Sequence, residues 1–359
     1  MRFQLRTAIY SAAAVFLSFI FCLMPDTVTD AVSSSLYICA SRVVPSVFPF
    51  TVLSSFFIKS GGSDRIDRLL SRPFYKLFGL RLGASALFCG LLFGFPLGAM
   101  CIGALYRSER ITAREATRLL TFAACASPTF PFFSVGIGMF GSFSAGILMF
   151  CVPTVIFFLI GIFLNLVKPI KSPSPVAAAD DAVKLKLTDA VTSSVADASR
   201  VILTVCGAVT FFSLLGRIAG VLLSPLFDSP YPALCISALF EFSSACAGSA
   251  EAYSSGCIGC AEALAISAFS IGFSGLSVIC QSISVLQSEK IQILPHIVSK
   301  FANGAISAVT VYFIAKHLDI GVNASIAFPH ESFSPVSFLP SAVIFTIFTA
   351  FLIKNQKSA

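Results

Sequence analysis

The sequence predicts an all-α polytopic membrane protein: an inverted repeat with two re-entrant helical hairpins and about eight transmembrane spans. Three observations carry that expectation. The chain of 359 residues is 56% hydrophobic and only 11% charged, whereas soluble domains carry about 25% charged residues. Its lysines and arginines are gathered into blocks between apolar stretches, the pattern that sets orientation across a bilayer. Two apolar stretches, one in each half, also break at their midpoints. Ser85-Ala86-Leu87-Phe88 is followed by Gly94-Phe95-Pro96-Leu97-Gly98, and Ser237-Ala238-Leu239-Phe240 by Glu241-Phe242-Ser243-Ser244. A helix broken inside hydrocarbon leaves backbone groups unpaired, so such breaks persist only when buried in protein or facing a wet cavity.

Taken in order, Arg2 and Arg6 precede the apolar run 9–24, which resembles the start of a secretory signal. No small-x-small cleavage site follows at 25–30, and 9–24 reads as a retained first span with the N-terminus cytoplasmic. Segment 31–58 returns to a block of Arg65, Arg68, Arg72, Lys76 and Arg81. Residues 65–81 mix these bases with Ile66, Leu69, Leu70, Phe74, Leu77 and Phe78. That pattern suits an amphipathic helix on the inner membrane surface, kinked by Pro73 and acting as a plain anchor or as a specific site for anionic lipid. Stretch 84–106 lies between this block and Arg107, Arg110, Arg114 and Arg118. Both its ends are therefore inside, which makes it a re-entrant hairpin. Spans 119–139 and 143–167 go out and back to Lys168, Lys171, Lys184 and Lys186. A cytoplasmic linker, 168–187, leads to segment 190–218, whose hydrocarbon part starts near Val201. No Lys or Arg lies between Arg217 and Lys290, so 233–250 becomes a second hairpin entering from outside. Spans 260–286 and 295–317 go in and out, and 336–353 returns the C-terminus to the cytoplasm. Arg42, Arg217 and Lys316 fall on the outer side near span ends, where they can snorkel.

The halves also align within one membrane domain, 1–359. Glu115, Phe122 and Ser127 precede Pro128 as Glu262, Phe269 and Ser274 precede Gly275, at a constant offset of 147. The Ser-Ala-Leu-Phe match has an offset of 152, implying a five-residue difference in length. The repeats are then 31–167 and 190–317, followed by the C-terminal span 336–353.

Broken helices expose N–H groups where the helix dipole is positive, and paired breaks in two halves point to a transporter's binding site. Breaks at 94–98, 127–128, 241–244 and 272–275, meeting near the midplane, would form a pocket for an anion or a polar small molecule. Each glycine could alternatively serve helix packing alone. The candidate substrate-binding residues are Gly94, Phe95, Pro96, Gly98, Ser127, Pro128, Glu241, Ser243, Ser244, Ser274, Gly275, Ser277 and Gln281. Glu241 lies deep in its apolar stretch, where charge is costly and usually functional. It could hold a coupling proton or sodium ion, orient a donor on the substrate, or cap the broken helix. Gln281 could serve a substrate or a neighbouring helix. Glu115 and Glu262 are expected near the membrane surface, where pairing with Arg118 (for Glu115) or simple solvation suffices.

Twelve cysteines lie mostly in apolar runs, as small buried hydrophobes. Cys257 and Cys260 have CxxC spacing without a second pair or a nearby histidine to complete a metal site. His296, His317 and His330 are scattered. No phosphate-binding loop, nucleophile elbow or catalytic carboxylate pair appears. We therefore expect no enzyme, no metal and no cofactor beyond a coupling ion. The expected partners are a small-molecule substrate and a bilayer with anionic lipid at its cytoplasmic face. The net charge of +7 reflects orientation rather than nucleic-acid binding, and oligomeric state is left open.

The run Val44-Pro45-Ser46-Val47-Phe48-Pro49-Phe50, the turn Gly94-Phe95-Pro96-Leu97-Gly98-Ala99 and Gly275-Leu276-Ser277-Val278-Ile279-Cys280-Gln281 resemble the YlbJ-type sporulation integral membrane proteins. These are similar to the nucleoside-recognition gate domains of nucleoside transporters and ferrous-iron permeases. Lys300-Phe301-Ala302-Asn303-Gly304 resembles that family's basic-x-x-x-Gly run. The resemblance spans roughly residues 44 to 318. It implies a multi-pass transporter of the cell or forespore membrane that moves dipicolinic acid, a small aromatic dicarboxylate. One departure stands out: where the family carries an Asn-Ala-Ser-Asn-Pro break, this chain has Ala124 and Ser127 before Pro128. Two other readings remain. One is a non-transporting scaffold in spore assembly that presents Arg107, Arg110 and Arg114; the other is a nucleoside or metal permease.

Overall fold

The computed structural model describes residues 2–170, 187–226, 231–286, 290–318 and 320–322. The expected span 336–353, His330 and most of linker 168–187 lie outside them. Among the described residues every regular element is a helix.

Helix α1 (Arg2–Leu23) meets α2 (Pro25–Ile38) at a 98° bend around Met24. Pro25 opens α2, the position where a missing N–H costs a helix nothing. A π-helical turn, Cys39–Val43, continues α2 into α3 (Val44–Lys59). It widens the backbone just where the ring of Pro45 would press on the preceding turn. The carboxylate of Asp197 accepts from Ser55 at 3.0 Å and pairs with Lys59 at 2.6 Å. This polar knot ties the end of α3 to the long α9 (Leu187–Leu223).

Helix α4 (Gly62–Phe78) is amphipathic as expected, beginning three residues earlier than the basic run. Ile66, Phe74 and Phe78 are buried while Arg65, Arg68, Arg72 and Lys76 are exposed. Its end comes at Gly79, whose φ of +72° is the left-handed helix stop that glycine adopts without strain. Asp67 lies on the buried face. One carboxylate oxygen accepts from the backbone N–H groups of Gly83 (3.1 Å) and Ser85 (2.9 Å), the other from the Ser85 hydroxyl (2.9 Å). Burial pushes this carboxyl above its ordinary range, opposed by those hydrogen bonds and by Arg110. Arg110 itself pairs with Asp64 of the same helix.

Asp67 thereby caps α5 (Ala84–Phe93), the first arm of a hairpin completed by α6 (Leu97–Arg107). The arms run back to back. A Cβ on Gly98 would lie 3.2 Å from the Cα of Gly90, and Cys101 reaches the Ser85 hydroxyl further from the turn. Helix α7 (Ala113–Ala123) starts at a capping box: Thr112 accepts from the Glu115 N–H, and Glu115 accepts from the Thr112 N–H. Glu115 is thus a buried cap, not a solvated surface acid. The chain then unwinds over 124–128, forms a π-helical segment, Thr129–Ile137, and continues into α8 (Phe143–Val167).

After α9 come α10 (Tyr231–Phe240), α11 (Phe242–Ser254), α12 (Cys260–Phe273), α13 (Gly275–Leu286) and α14 (Leu294–His317). Helices α5 and α10 begin at Ala84 and Tyr231 and end at Phe93 and Phe240, 147 residues apart at both ends. Helices α7 and α12 begin at Ala113 and Cys260, at the same offset. This corrects the 152-residue register: Ser85 opens its helix whereas Ser237 lies near the end of its own. Such a short apolar word recurs readily in a chain of this composition. The two hairpins need no difference in length.

Among the described residues four helices are long and apolar enough to cross a membrane: Phe143–Val167, Thr188–Leu226, Cys260–Leu286 and Leu294–His317. The bent α1–α2 pair brings the number to five among the described residues, against the seven of the eight expected crossings that fall within them. The hairpin arms α5, α6, α10 and α11 have 10 to 13 residues, roughly 15–20 Å, about half the hydrocarbon thickness. Cys260–Leu286 is the central element, buried over 72% of its apolar window against 28–33% for the other three.

Asp67→Ala leaves two N–H groups and a hydroxyl at the root of the first hairpin without their acceptor. Thermal unfolding in detergent should show a loss of about 2 kcal/mol, with Asp64→Ala, at a more exposed pair, costing less.

Candidate functional site

Each hairpin tip rests against the break of the next span in its own half. In the first half Gly94 has φ +81°, and a Cβ there would lie 3.0 Å from both the N and Oγ of Ser127. Behind the tip, Cβ atoms on Gly90 and Gly98 would meet the Ala123 carbonyl oxygen at 2.0 and 2.4 Å. In the second half Gly275 has φ +72°, and a Cβ would lie 2.8 Å from the Phe240 carbonyl oxygen and 3.1 Å from the Glu241 Cα. Only glycine permits these backbone approaches. Ser274, just before, is held at φ +68°, which is rare for a residue with a side chain.

The halves then meet. The Phe95 and Phe242 rings touch edge to face at 5.7 Å, and Phe130 meets Phe242 at 4.9 Å. From α14, Lys300 Nζ donates to Ser274 Oγ at 2.8 Å. It lies 4.3 Å from the Phe95 ring centroid and 5.0 Å from that of Phe157. All four breaks converge on one place.

Between them is a cavity of about 60 Å³. Gly94, Phe95, Ser127, Ser243 and Gln281 line it from the candidate set, joined by Thr129, Phe130, Phe242 and Val278. Val43 and Val47, with Val205 and Val209 of α9, close its apolar side. That space holds a few waters, far below the 300–1,000 Å³ of a ligand pocket.

The remaining candidates stand one layer back. Glu241 is fully buried. Its Oε2 accepts from the Ser243 hydroxyl at 2.6 Å and the Ser244 N–H at 2.8 Å, so it caps α11. Its Oε1 is buried with no hydrogen-bond partner among the described residues. One oxygen thus caps the helix and the other is left free. Ser244 shares a hydrogen bond with Ser213 of α9 at 2.9 Å, and the Gln281 amide donates to Ser277 at 3.1 Å. Pro96 and Pro128 serve the backbone, each directly preceding a helical segment.

Sequence reasoning missed Lys300 as a site residue. It stands early in its span, where a lysine reads as a surface anchor, and the run 300–304 entered only through a resemblance. The basic block also carries structural work. Arg107 donates to the carbonyls of Val285 (3.4 Å) and Leu286 (3.2 Å) at the end of α13, and Arg118 to that of Lys168 at 2.6 Å. His296 packs against the Leu120 carbonyl through Nδ1 at 2.8 Å. Among the described residues no three His, Cys, Asp or Glu side chains group as metal ligands.

With this geometry, comparison with known proteins becomes informative. Residues 40–143 match the Gate family model, described as nucleoside recognition. That stretch contains α4 to α7, the first hairpin and the first unwound break. The chain is also 27% identical to the sporulation integral membrane protein YlbJ of Bacillus subtilis (strain 168), over 88% of this chain and 84% of that protein. The resemblance read from the sequence therefore holds. Among solved structures, CNTnw in an outward-facing state is similar at 14% identity, covering 88% of this chain and 86% of that one, with a TM-score of 0.47.

Gly275→Ala places a methyl group against the Phe240 carbonyl in a left-handed conformation. Unfolding in detergent should show a loss of about 1–3 kcal/mol. Gly207→Ala, where a Cβ meets nothing within 4 Å, should leave stability unchanged.

Proposed function

We propose that the protein is a secondary transporter of a small polar or anionic metabolite, with its substrate site where the four breaks converge. The observation that carries this reading is the small cavity between two hairpin tips and two broken spans. Backbone of this kind is tolerated inside a membrane where it is buried or lines a path, and transporters place substrate at such junctions. Alternating access then moves one hairpin unit against the other and enlarges the cavity from either side. The repeats 31–167 and 190–317 are the two units, inverted so that their hairpins enter from opposite faces. Both termini are cytoplasmic. Helix α4 lies on the inner leaflet with its bases towards anionic lipid.

Glu241 is the coupling residue in this reading. A proton or a sodium ion would take its free Oε1, while Oε2 continues to cap α11. A second reading, a nucleoside as substrate, is favoured by the description of the matching family. A scaffold reading is disfavoured because Arg107 and Arg110 are engaged within the fold.

The test is uptake into proteoliposomes, measured with dipicolinate and with uridine. Glu241→Gln should reduce uptake at least about tenfold while the purified protein stays folded, and Gly98→Leu should reduce it as far while lowering the unfolding temperature of the protein that still folds. The first removes the ionisable group; the second wedges the hairpin off the Ala123 carbonyl. Unchanged uptake in both variants would sink the assignment of the site, and uridine uptake alone would select the nucleoside reading.

A further inference from the structure

We infer that Lys300 is the group that docks an anionic substituent of the substrate and so sets the preference of the site for anions over neutral molecules. This rests on the transporter reading above and adds to it a residue and a ligand charge.

The ammonium group is fully buried. It has three N–H donors; it donates to Ser274 Oγ and lies over two aromatic faces, Phe95 and Phe157, with Cys125 and His296 within electrostatic reach. The ion pairs among the described residues are Lys59–Asp197 and Arg110–Asp64; neither involves Lys300. A buried cation without a counter-ion costs several kcal/mol, and an apolar side chain of similar length would fill the space at lower cost. Fold stability therefore does not account for a lysine here.

Its position does. Ser274 belongs to the break between α12 and α13, Phe95 to the first hairpin tip and Phe157 to α8, so the cation sits where separate pieces of the molecule meet. The Phe95 ring also lines the cavity, so displacing this one side chain joins the cavity to the lysine. A carboxylate entering there accepts from Nζ, replacing cation–π contacts with a charge-assisted pair, while the Ser274 hydroxyl keeps its own donation to the Ile271 carbonyl at 2.9 Å. The flat body of such a ligand would rest on the Phe242 and Phe130 rings, with its polar edge towards Ser127, Ser243 and Gln281.

Thermal unfolding of the purified full chain provides the test, with nicotinate and nicotinamide as probes of one ring shape and different charge. Benzoate, dipicolinate and uridine complete the panel. Nicotinate, benzoate or dipicolinate should raise the unfolding midpoint of the wild-type protein by about 2–4 °C at tenfold its dissociation constant. Nicotinamide should not. Lys300→Met should unfold at the same or a higher temperature without ligand and lose the response. Lys300→Gln, which keeps a donor for Ser274, should lose it as well, and Lys300→Arg should retain part of it. The inference falls if no carboxylate shifts the midpoint, if nicotinamide matches nicotinate, or if Lys300→Met keeps the response. It falls equally if both neutral variants unfold at markedly lower temperature, the signature of a structural lysine. Uridine uptake that depends on Glu241 but not on Lys300 would overturn the anion role and leave the transporter reading standing.

Discussion

Hydrocarbon offers the backbone no hydrogen-bond partner, and the centre of this protein is arranged around that constraint. Around this centre the chain leaves helical geometry at four places, and each lies against other parts of the protein. Gly94 lies against Ser127, and Gly275 against the Phe240 carbonyl and Glu241. Each break shelters the exposed backbone of another, and this is why the breaks are found together. The short arms of the hairpins, the glycines behind their tips and the phenylalanines between the halves all follow from bringing these irregular points into one buried place.

Composition was enough to reveal an all-helical chain with several apolar helices of membrane-spanning length. The basic face of α4, the two interrupted stretches and the junctions at Ser127 and Ser274 were readable because their signals are local: periodicity, a proline, a glycine pair. The five-residue shift between the halves was not real, because Ser85 and Ser237 share a word and not a structural position. The roles of Arg107 and Glu115 were hidden for a different reason. Arg107 reaches carbonyls at 285 and 286, a partner fixed by tertiary packing. Glu115 sits three residues from its capping partner, yet its burial depends on neighbours far along the chain.

Charge is unevenly shared at the centre. In the 147-residue register Gly94 corresponds to Glu241, so the acid on one hairpin tip faces a bare backbone position on the other. Lys300 comes from the same half as Glu241. The first half supplies close-approach glycines, an aromatic plug in Phe95 and hydroxyls at Ser127 and Thr129. The second supplies both ionisable groups and the left-handed serine that holds the lysine. Similar frames thus contribute different chemistry: shape from one side, charge from the other.

The ties of α4 to the first hairpin have a mechanical meaning. Asp67 grips the hairpin at its root and Asp64 holds the loop beyond it through Arg110, so the hairpin is braced at both ends by a helix with a strongly basic outer face. The second hairpin shares the Ser213–Ser244 hydrogen bond with α9, a neutral contact that a sliding helix can exchange for another. In the transport cycle proposed above, such an arrangement would act as a stator and a rotor: the braced hairpin would keep its depth while the acid-bearing one travels. In that cycle the basic helix would be an outrigger, its grip on one leaflet giving a fixed point against which the rest of the molecule can turn.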